Sequence, residues 1–207
     1  MINIVLADDH AIFLQGLSQL IQSEADIEIV GQAGDGQSAW DLIQEKHPDV
    51  AVLDITMAGL NGIEISRRVE QSKDVQSNIL LLTMHEDPLL ALEARHAGAK
   101  GYVLKENTFE DLVNAIRLVN TGETFVTKII ADKITQLEKF GGTLILSGQE
   151  REVLRGIAKG MTNKEIARQM SISPKTVETY RNRIMDKLNL RSIAELSRFA
   201  VKLGLVE

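Results

Sequence analysis

The chain has 207 residues, 25% of them charged and 44% hydrophobic, with a formal net charge of −6 and no cysteine. That length suits two small domains better than one, and the lack of thiols excludes a disulfide framework and any thiolate metal site. Apolar runs of about five residues at most, against the roughly 20 that cross a bilayer, predict no membrane span. With no signal-peptide pattern, a soluble cytoplasmic protein without membrane partners is expected.

Short runs of Val, Ile and Leu recur through the first part of the chain: Ile2 to Leu6, Ile27 to Val30, Val50 to Leu53, Ile79 to Leu82 and Tyr102 to Leu104. Segments with helical periodicity lie between them, such as Ile12, Leu17, Leu20 and Ile21, or Leu112, Val113, Ile116 and Val119. Strands that are apolar throughout are buried on both faces. The expected fold is therefore α/β, a doubly wound five-stranded parallel sheet with helices on each side. The stretch "TFED", Thr108 to Asp111, predicts a capping box for the fifth helix, and Gly122 is placed to end it.

Ligands of such sheets sit beyond the carboxyl ends of the strands. The first strand ends in Asp8 and Asp9, the third in Asp54, the fourth in Thr83 and the fifth in Lys105. Taken singly, an Asp after a strand is commonly a cap, a Thr a strand former and a Lys a solvated charge. Jointly they converge on one rim. Three carboxylates about 4 Å apart repel by about 4 kcal/mol per pair at an effective dielectric near 20, so a counter-charge is required. An oxygen-only donor set with room for water favours Mg²⁺. An Asp beside Mg²⁺ and a Lys can attack phosphorus and form an acyl phosphate.

On these residues, Asp8, Asp9, Asp54 in "DITMAGLNG", Thr83, Tyr102 and Lys105, residues 1–122 resemble the receiver domain of two-component response regulators, which is flavodoxin-like. The resemblance implies that Asp54 is the phosphoacceptor and that Asp8, Asp9, Asp54 and the backbone carbonyl of Thr56 bind Mg²⁺. Lys105 would pair with the phosphoryl group, and Thr83 with Tyr102 would form the switch. A phosphoryl group adds three strong acceptors and roughly −1.5 to −2 charges, so the Thr83 hydroxyl should swing toward it, letting Tyr102 move from an exposed to an inward rotamer. The loop departs from the family in carrying Ala58 where a proline is usual, which loosens it modestly. Thr56 and His85 are placed to tune the phosphoryl lifetime.

Residues 123–146 lack the preceding rhythm and are expected to be a linker, with one amphipathic helix through Ile129, Ile130, Ile134 and Leu137 and a flexible joint at Gly141 and Gly142. The charge changes sign at this seam: residues 1–140 hold 11 Lys and Arg against 22 Asp and Glu, whereas residues 141–207 hold 12 against 7. A local positive balance in an acidic protein is the footprint of a nucleic-acid-binding module.

Residues 147–207 read as all-helical. "SGQE" and "TNKE" are capping boxes at Ser147 and Thr162, "SPKT" sets Ser173 as cap and Pro174 as first helical residue, and residues 191–204 make a fourth helix ending at Gly204. Only "MSIS" separates the second and third helices, the spacing of a helix-turn-helix. Leu154, Ile157, Ile166, Ala167, Val177, Ile184 and Leu188 form the expected core. The third helix is expected to expose Lys175, Thr176, Glu178, Thr179, Arg181, Asn182 and Arg183, a mixture suited to phosphates and base edges in a major groove.

Residues 145–207 resemble the LuxR-type DNA-binding domain, through "LSGQEREVLRGIAKGMTNKEIARQMSISPKTVETYRNRIMDKL". The resemblance makes Glu178, Thr179 and Asn182 base-facing, and Lys175, Thr176, Arg181 and Arg183 phosphate-facing. It makes Ile193, Leu196, Ala200 and Leu203 a dimer surface, with packing inside the domain as the alternative for that stripe. The two halves together resemble the NarL/FixJ class of response regulators. The resemblance implies a transcription regulator, not an enzyme, phosphorylated by a sensor histidine kinase and binding double-stranded DNA as a homodimer. Two other readings stand beside it: a DNA-binding regulator that works unphosphorylated, and an aspartyl-phosphate phosphatase or phosphotransferase. The latter lacks an acid two residues after Asp54, where Thr56 sits.

Overall fold

The computed structural model describes residues 1–138, 146–188 and 190–202. The chain forms two compact units, one of Met1–His85 with Ala94–Thr127, the other of Glu86–Glu93 with Lys128–Glu207.

The first unit is built on strands β1 (Ile2–Ala7), β2 (Ile27–Ala33), β3 (Val50–Asp54), β4 (Asn78–Thr83), β5 (Gly101–Leu104) and β6 (Phe125–Val126). All pair in parallel, in the order β2-β1-β3-β4-β5-β6. Helices α1 (Ala11–Ile21), α2 (Gly36–Lys46), α3 (Gly62–Gln71) and α5 (Phe109–Asn120) lie between the strands in sequence, as does α4 (Pro88–His96), whose residues up to Glu93 fall in the second unit. Successive side chains of a strand point to opposite faces. Ile4, Leu6, Val50, Val52, Leu80, Leu82 and Val103 accordingly form one core with Leu17 and Ile21 of α1 and Leu112, Ile116 and Val119 of α5. The intervening Val5, Ala51, Leu53, Ile79 and Leu81 are buried on the other face, with Ile43 of α2 and Ile65 of α3 also buried.

Two expectations are corrected here. The sheet has six strands rather than five, because Phe125 and Val126, at the start of the expected linker, pair with Gly101 and Tyr102. A two-residue, half-buried strand carries no alternation to read; the open edge of β5 recruits it. Thr127 fastens it, donating from N–H to the Tyr102 carbonyl at 3.0 Å while its hydroxyl accepts from Leu104 N–H at 3.2 Å. The capping box at Thr108 is only half formed. Thr108 Oγ1 accepts from Asp111 N–H at 3.2 Å, but the Asp111 carboxylate is turned to Asn107 Nδ2 at 3.1 Å. The side chain of Asp is one methylene too short to return easily to the cap.

One glycine in this unit is required by close approach. A Cβ on Gly62, the first residue of α3, would lie 2.5 Å from the Asp54 carbonyl oxygen, so α3 starts directly under the end of β3.

The second unit contains helices α6 (Lys128–Glu138), α7 (Gly148–Ala158), α8 (Asn163–Gln169), α9 (Pro174–Lys187) and α10 (Ile193–Lys202). Reciprocal capping boxes open α7 at Ser147 with Glu150 and α8 at Thr162 with Glu165, and Ser173 caps α9 with Pro174 in its first turn. Met170–Ser173 make the turn between α8 and α9, with Ser171 left-handed at φ 55°. Every expected core residue from Leu154 to Leu188 is buried, joined by Val153, Leu196, Phe199 and Ala200. The helix α10 begins two residues later than expected, because Ser192 caps it, accepting from Glu195 N–H at 3.2 Å. Gly141, Gly142, Leu203 and Gly204 lie outside the described residues.

Candidate functional site

Three carboxylates and a lysine meet at the carboxyl end of the first unit's sheet. Asp8 follows β1, Asp54 ends β3, and both are buried at 2% and 3% exposure, whereas Asp9 is exposed. Lys105, just past β5, places Nζ 2.6 Å from Asp8 Oδ2 and 2.9 Å from Asp54 Oδ2. Its ammonium also lies 4.8 Å from the centre of the Phe13 ring, which closes that side of the pocket. The counter-charge that the clustered acids require is thus supplied first by the protein's own lysine.

Burial pushes the Asp54 carboxyl above its ordinary range; the Lys105 hydrogen bond opposes this and the Asp8 charge adds to it. Burial draws the Lys105 ammonium down, but the carboxylates of Asp54 and Asp8 outweigh it and the net direction is upward. Both directions follow from one imbalance: two buried acids share one ammonium.

The other oxygens face a different neighbour. His10 N–H donates to Asp8 Oδ1 at 2.9 Å, and His10 Nδ1 lies 2.9 Å from Asp9 Oδ1 and 3.4 Å from Asp8 Oδ1. One donor atom each from Asp8, Asp9, His10 and Asp54 lie within 4.8 Å of one another, a set that fits a divalent cation. Thr56 N–H donates to Asp54 Oδ1 at 3.3 Å, holding the Thr56 backbone beside this cluster. The loop that carries Ala58 is tied by its carbonyl to Gly36 N–H at 3.1 Å. Reading by strand ends overlooked His10 because it lies one residue beyond the acidic pair, although its adjacency to that pair was in plain view.

Thr83 is buried, and its Oγ1 accepts from His85 N–H at 3.0 Å. Tyr102 donates from its hydroxyl to the His85 carbonyl at 3.1 Å and is only 2% exposed. The expected exposed starting rotamer of Tyr102 is therefore corrected: the ring already lies inward, held by packing and this bond. Thr83 and Tyr102 are thus joined through one residue's backbone, that of His85.

In the second unit, α9 buries Val177 and Ile184 and exposes Lys175, Glu178, Thr179, Asn182 and Arg183, with Thr176 half-buried. Arg181 departs from this face. At 100° per residue it falls beside the buried stripe; its side chain is 20% exposed, lies 3.6 Å from Glu178 Oε1 and lines a cavity together with Met161, Asn163 and Ile193. Leu196 and Ala200 are fully buried inside their own unit, so they are core rather than dimer surface; Ile193 is exposed.

Among the described residues no helix is long and apolar enough to cross a membrane. A family model described as the response regulator receiver domain matches residues 4–117, and one described as bacterial regulatory proteins, luxR family, matches residues 144–200. Oxygen regulatory protein NreC of Staphylococcus epidermidis is 38% identical over 216 residues, covering 99% of both chains, and that of Staphylococcus haemolyticus is 37% identical over 218 residues. Among solved structures, a LuxR-family two-component response regulator from Aurantimonas sp. SI85-9A1 is similar at 35% identity and a TM-score of 0.63, covering 67% of this chain and 99% of that one. The response regulator RcsB in complex with DNA is similar at 25% identity and a TM-score of 0.65, covering 97% and 98%. The chain belongs to the NarL/FixJ class of two-component response regulators, transcription regulators that join a receiver domain to a LuxR-type DNA-binding domain.

Proposed function

We propose that Asp54 accepts a phosphoryl group from a phosphohistidine of a sensor histidine kinase, and that this modification governs binding of double-stranded DNA by α9 in a homodimer. The observation that carries the reading is the buried Asp54 carboxylate at the end of β3, 2.9 Å from Lys105 Nζ and grouped with Asp8, Asp9 and His10. An Asp54 oxygen forms the bond to phosphorus as the phosphorus–nitrogen bond breaks, and the departing imidazole takes up a proton. Asp8, Asp9, Asp54 and the Thr56 carbonyl would hold Mg²⁺, which when bound neutralises the phosphoryl oxygens. Lys105, freed from Asp54 by the modification, keeps its charge for the phosphoryl group.

The readout runs through His85. When the Thr83 hydroxyl turns to the new oxygens, it gives up the His85 N–H, and the backbone that also holds the Tyr102 hydroxyl is released. The surface formed by β5 and its neighbours changes with it. On DNA, Glu178, Thr179 and Asn182 read bases while Lys175, Thr176 and Arg183 meet phosphates. Arg181, set back beside the buried stripe, reaches the backbone only by changing rotamer. RcsB, a similar regulator, is known as dimers bound to DNA, which supports a homodimer here; among the described members of the α10 stripe, Ile193 is the one left exposed to serve it.

The test is labelling by acetyl phosphate with Mg²⁺, followed by mass spectrometry and DNA titration. The wild type gains an acid-labile phosphoryl group and Asp54→Asn gains none; labelling elsewhere, or equal labelling of both, sinks the assignment. Asn182→Ala alters sequence preference, whereas Lys175→Ala weakens binding to all sequences and flattens the salt dependence. Equal effects of the two would overturn the division of contacts.

A further inference from the structure

Thr127 is the last residue of the first unit, and Lys128 beside it begins α6 of the second. A strand of two half-buried residues such as β6 makes few ladder bonds and opens easily. What fastens it is one buried side chain. Phe125 N–H donates to the Lys100 carbonyl at 2.9 Å and Thr127 N–H to the Tyr102 carbonyl at 3.0 Å, while the Thr127 hydroxyl accepts from Leu104 N–H at 3.2 Å. A hydroxyl has a single proton to give, and the nearer of the two acceptors here is Asn107 Oδ1 at 3.2 Å, against 3.4 Å to the Tyr102 carbonyl. Asn107 Nδ2 is turned to Asp111 Oδ2 at 3.1 Å, which leaves its Oδ1 facing Thr127.

The partners of Thr127 belong to the strand that faces the acidic pocket. The Tyr102 hydroxyl reaches the His85 carbonyl. Leu104 precedes Lys105, whose Nζ bridges Asp8 and Asp54 and whose N–H donates to the Thr83 carbonyl at 2.8 Å. Movement of Lys105 or of Tyr102 therefore acts on a bond of Thr127. The Leu104 bond, at 3.2 Å, already lies at the long end of the N–H to oxygen range, so a small displacement of the turn that carries Lys105 breaks it.

We propose that Thr127 is a positioning residue that couples the receiver pocket to the chain leading into α6: modification of Asp54 draws Lys105 toward the new oxygens, breaks the Leu104–Thr127 bond and releases β6 from β5. The inference rests on the reading of Asp54 as the phosphoacceptor. It assigns the signal an exit at the first residues of the linker, separate from the bond between Thr83 and His85.

Hydrogen exchange of the full-length protein is followed by mass spectrometry before and after treatment with acetyl phosphate and Mg²⁺, for the wild type, Thr127→Val, Thr127→Ser and Asp54→Asn, alongside DNA titration. In the wild type, phosphorylation should speed exchange at Phe125 and Thr127 by about tenfold. It should leave Ile2 unchanged, whose N–H donates to the Asp26 carbonyl at the other edge of the sheet. Asp54→Asn should show no change at either place. Thr127→Val keeps the side-chain volume and loses the hydroxyl, so β6 should exchange fast with or without the modification, and DNA affinity should no longer respond to acetyl phosphate. Thr127→Ser retains the hydroxyl and should restore both responses, a rescue that a purely space-filling role would not give. The wild-type comparison needs no variant, so it decides whatever Thr127→Val does to folding. Wild type that is phosphorylated at Asp54 without faster exchange at Phe125 and Thr127, or folded Thr127→Val that keeps the wild-type DNA response, overturns the coupling and leaves the phosphoacceptor intact. Wild type that takes up no phosphoryl group overturns the reading of Asp54, and the inference with it.

Discussion

The two units solve the problem of buried charge in opposite ways. In the first, Asp8, Asp54 and Lys105 are buried together, and two acids share one ammonium across elements distant in the chain. In the second, the buried acid Glu150 is satisfied locally, by its reciprocal capping box with Ser147, and by Lys187 Nζ at 2.7 Å. The first arrangement sets two buried acids against one ammonium. The second pairs its acid and ties α7 to α9 through that pair.

That contrast is open to measurement. The largest effect is expected from Lys105→Met, which leaves Asp8 and Asp54 buried without a cation and should destabilise the receiver unit by about 3 kcal/mol in urea unfolding at pH 7. Millimolar Mg²⁺ or Mn²⁺ should recover more stability in this variant than in the wild type; equal recovery would mean the lysine is not the counter-charge. Next comes Gly156→Ala in the second unit. Its Cβ would meet Ile166 Cγ1 at 2.6 Å where α7 crosses α8, so a loss of about 2 kcal/mol is expected, confined to the helical unit and readable as a drop in DNA affinity on warming.

Glu150→Gln should cost about 1 kcal/mol at neutral pH. Lys187 and the Ser147 bonds outweigh burial and hold the Glu150 carboxyl below its ordinary 4.5. Its contribution is therefore present above that value and is lost as pH falls through the lowered one, so variant and wild type should converge in acid. A constant difference from pH 7 to pH 3 would refute the charge-based account.

The smallest effect has the opposite sign. Burial raises the Asp54 carboxyl above its ordinary 3.8, so the folded state binds the proton more tightly than the unfolded chain. Stability from this group is present below that ordinary value and is lost as pH rises through the raised one. Asp54→Asn should consequently melt a few degrees higher than the wild type at pH 7, on the order of 1 kcal/mol, and the gain should shrink as the solution is acidified. Measured side by side, Glu150→Gln and Asp54→Asn should show opposite signs at pH 7 and both fade in acid.

Much of the architecture is legible in the residues alone. Strands β1, β3, β4 and β5 are apolar through nearly all their length because both faces are covered, whereas the edge strand β2 exposes Glu28 and Gln32 and is marked only by its Ile27 to Val30 run. The caps at Ser147, Thr162 and Ser173 act within four residues of themselves, so local sequence suffices to locate the starts of α7, α8 and α9. Strand β6 was not legible, since Phe125 and Val126 become a strand only because β5 offers them an edge. The α10 stripe was ambiguous for a related reason. A helix period shows that Leu196 and Ala200 share a side, and only the packing of the unit shows that this side is inward.

Consecutive residues alone fix which chemistry is present: the acids at the ends of β1 and β3, the lysine after β5, the helix-turn-helix spacing and the polar face of its second helix. Strand periodicity and capping are local properties, so they are written in consecutive residues. The tertiary structure alone decided which groups touch. It set Lys105 between Asp8 and Asp54, turned His10 from its cap onto Asp9, joined Thr83 to Tyr102 through His85, and drew Arg181 away from the reading face. These are contacts between side chains brought together by the closing of a core, and their distances depend on the positions of several elements at once.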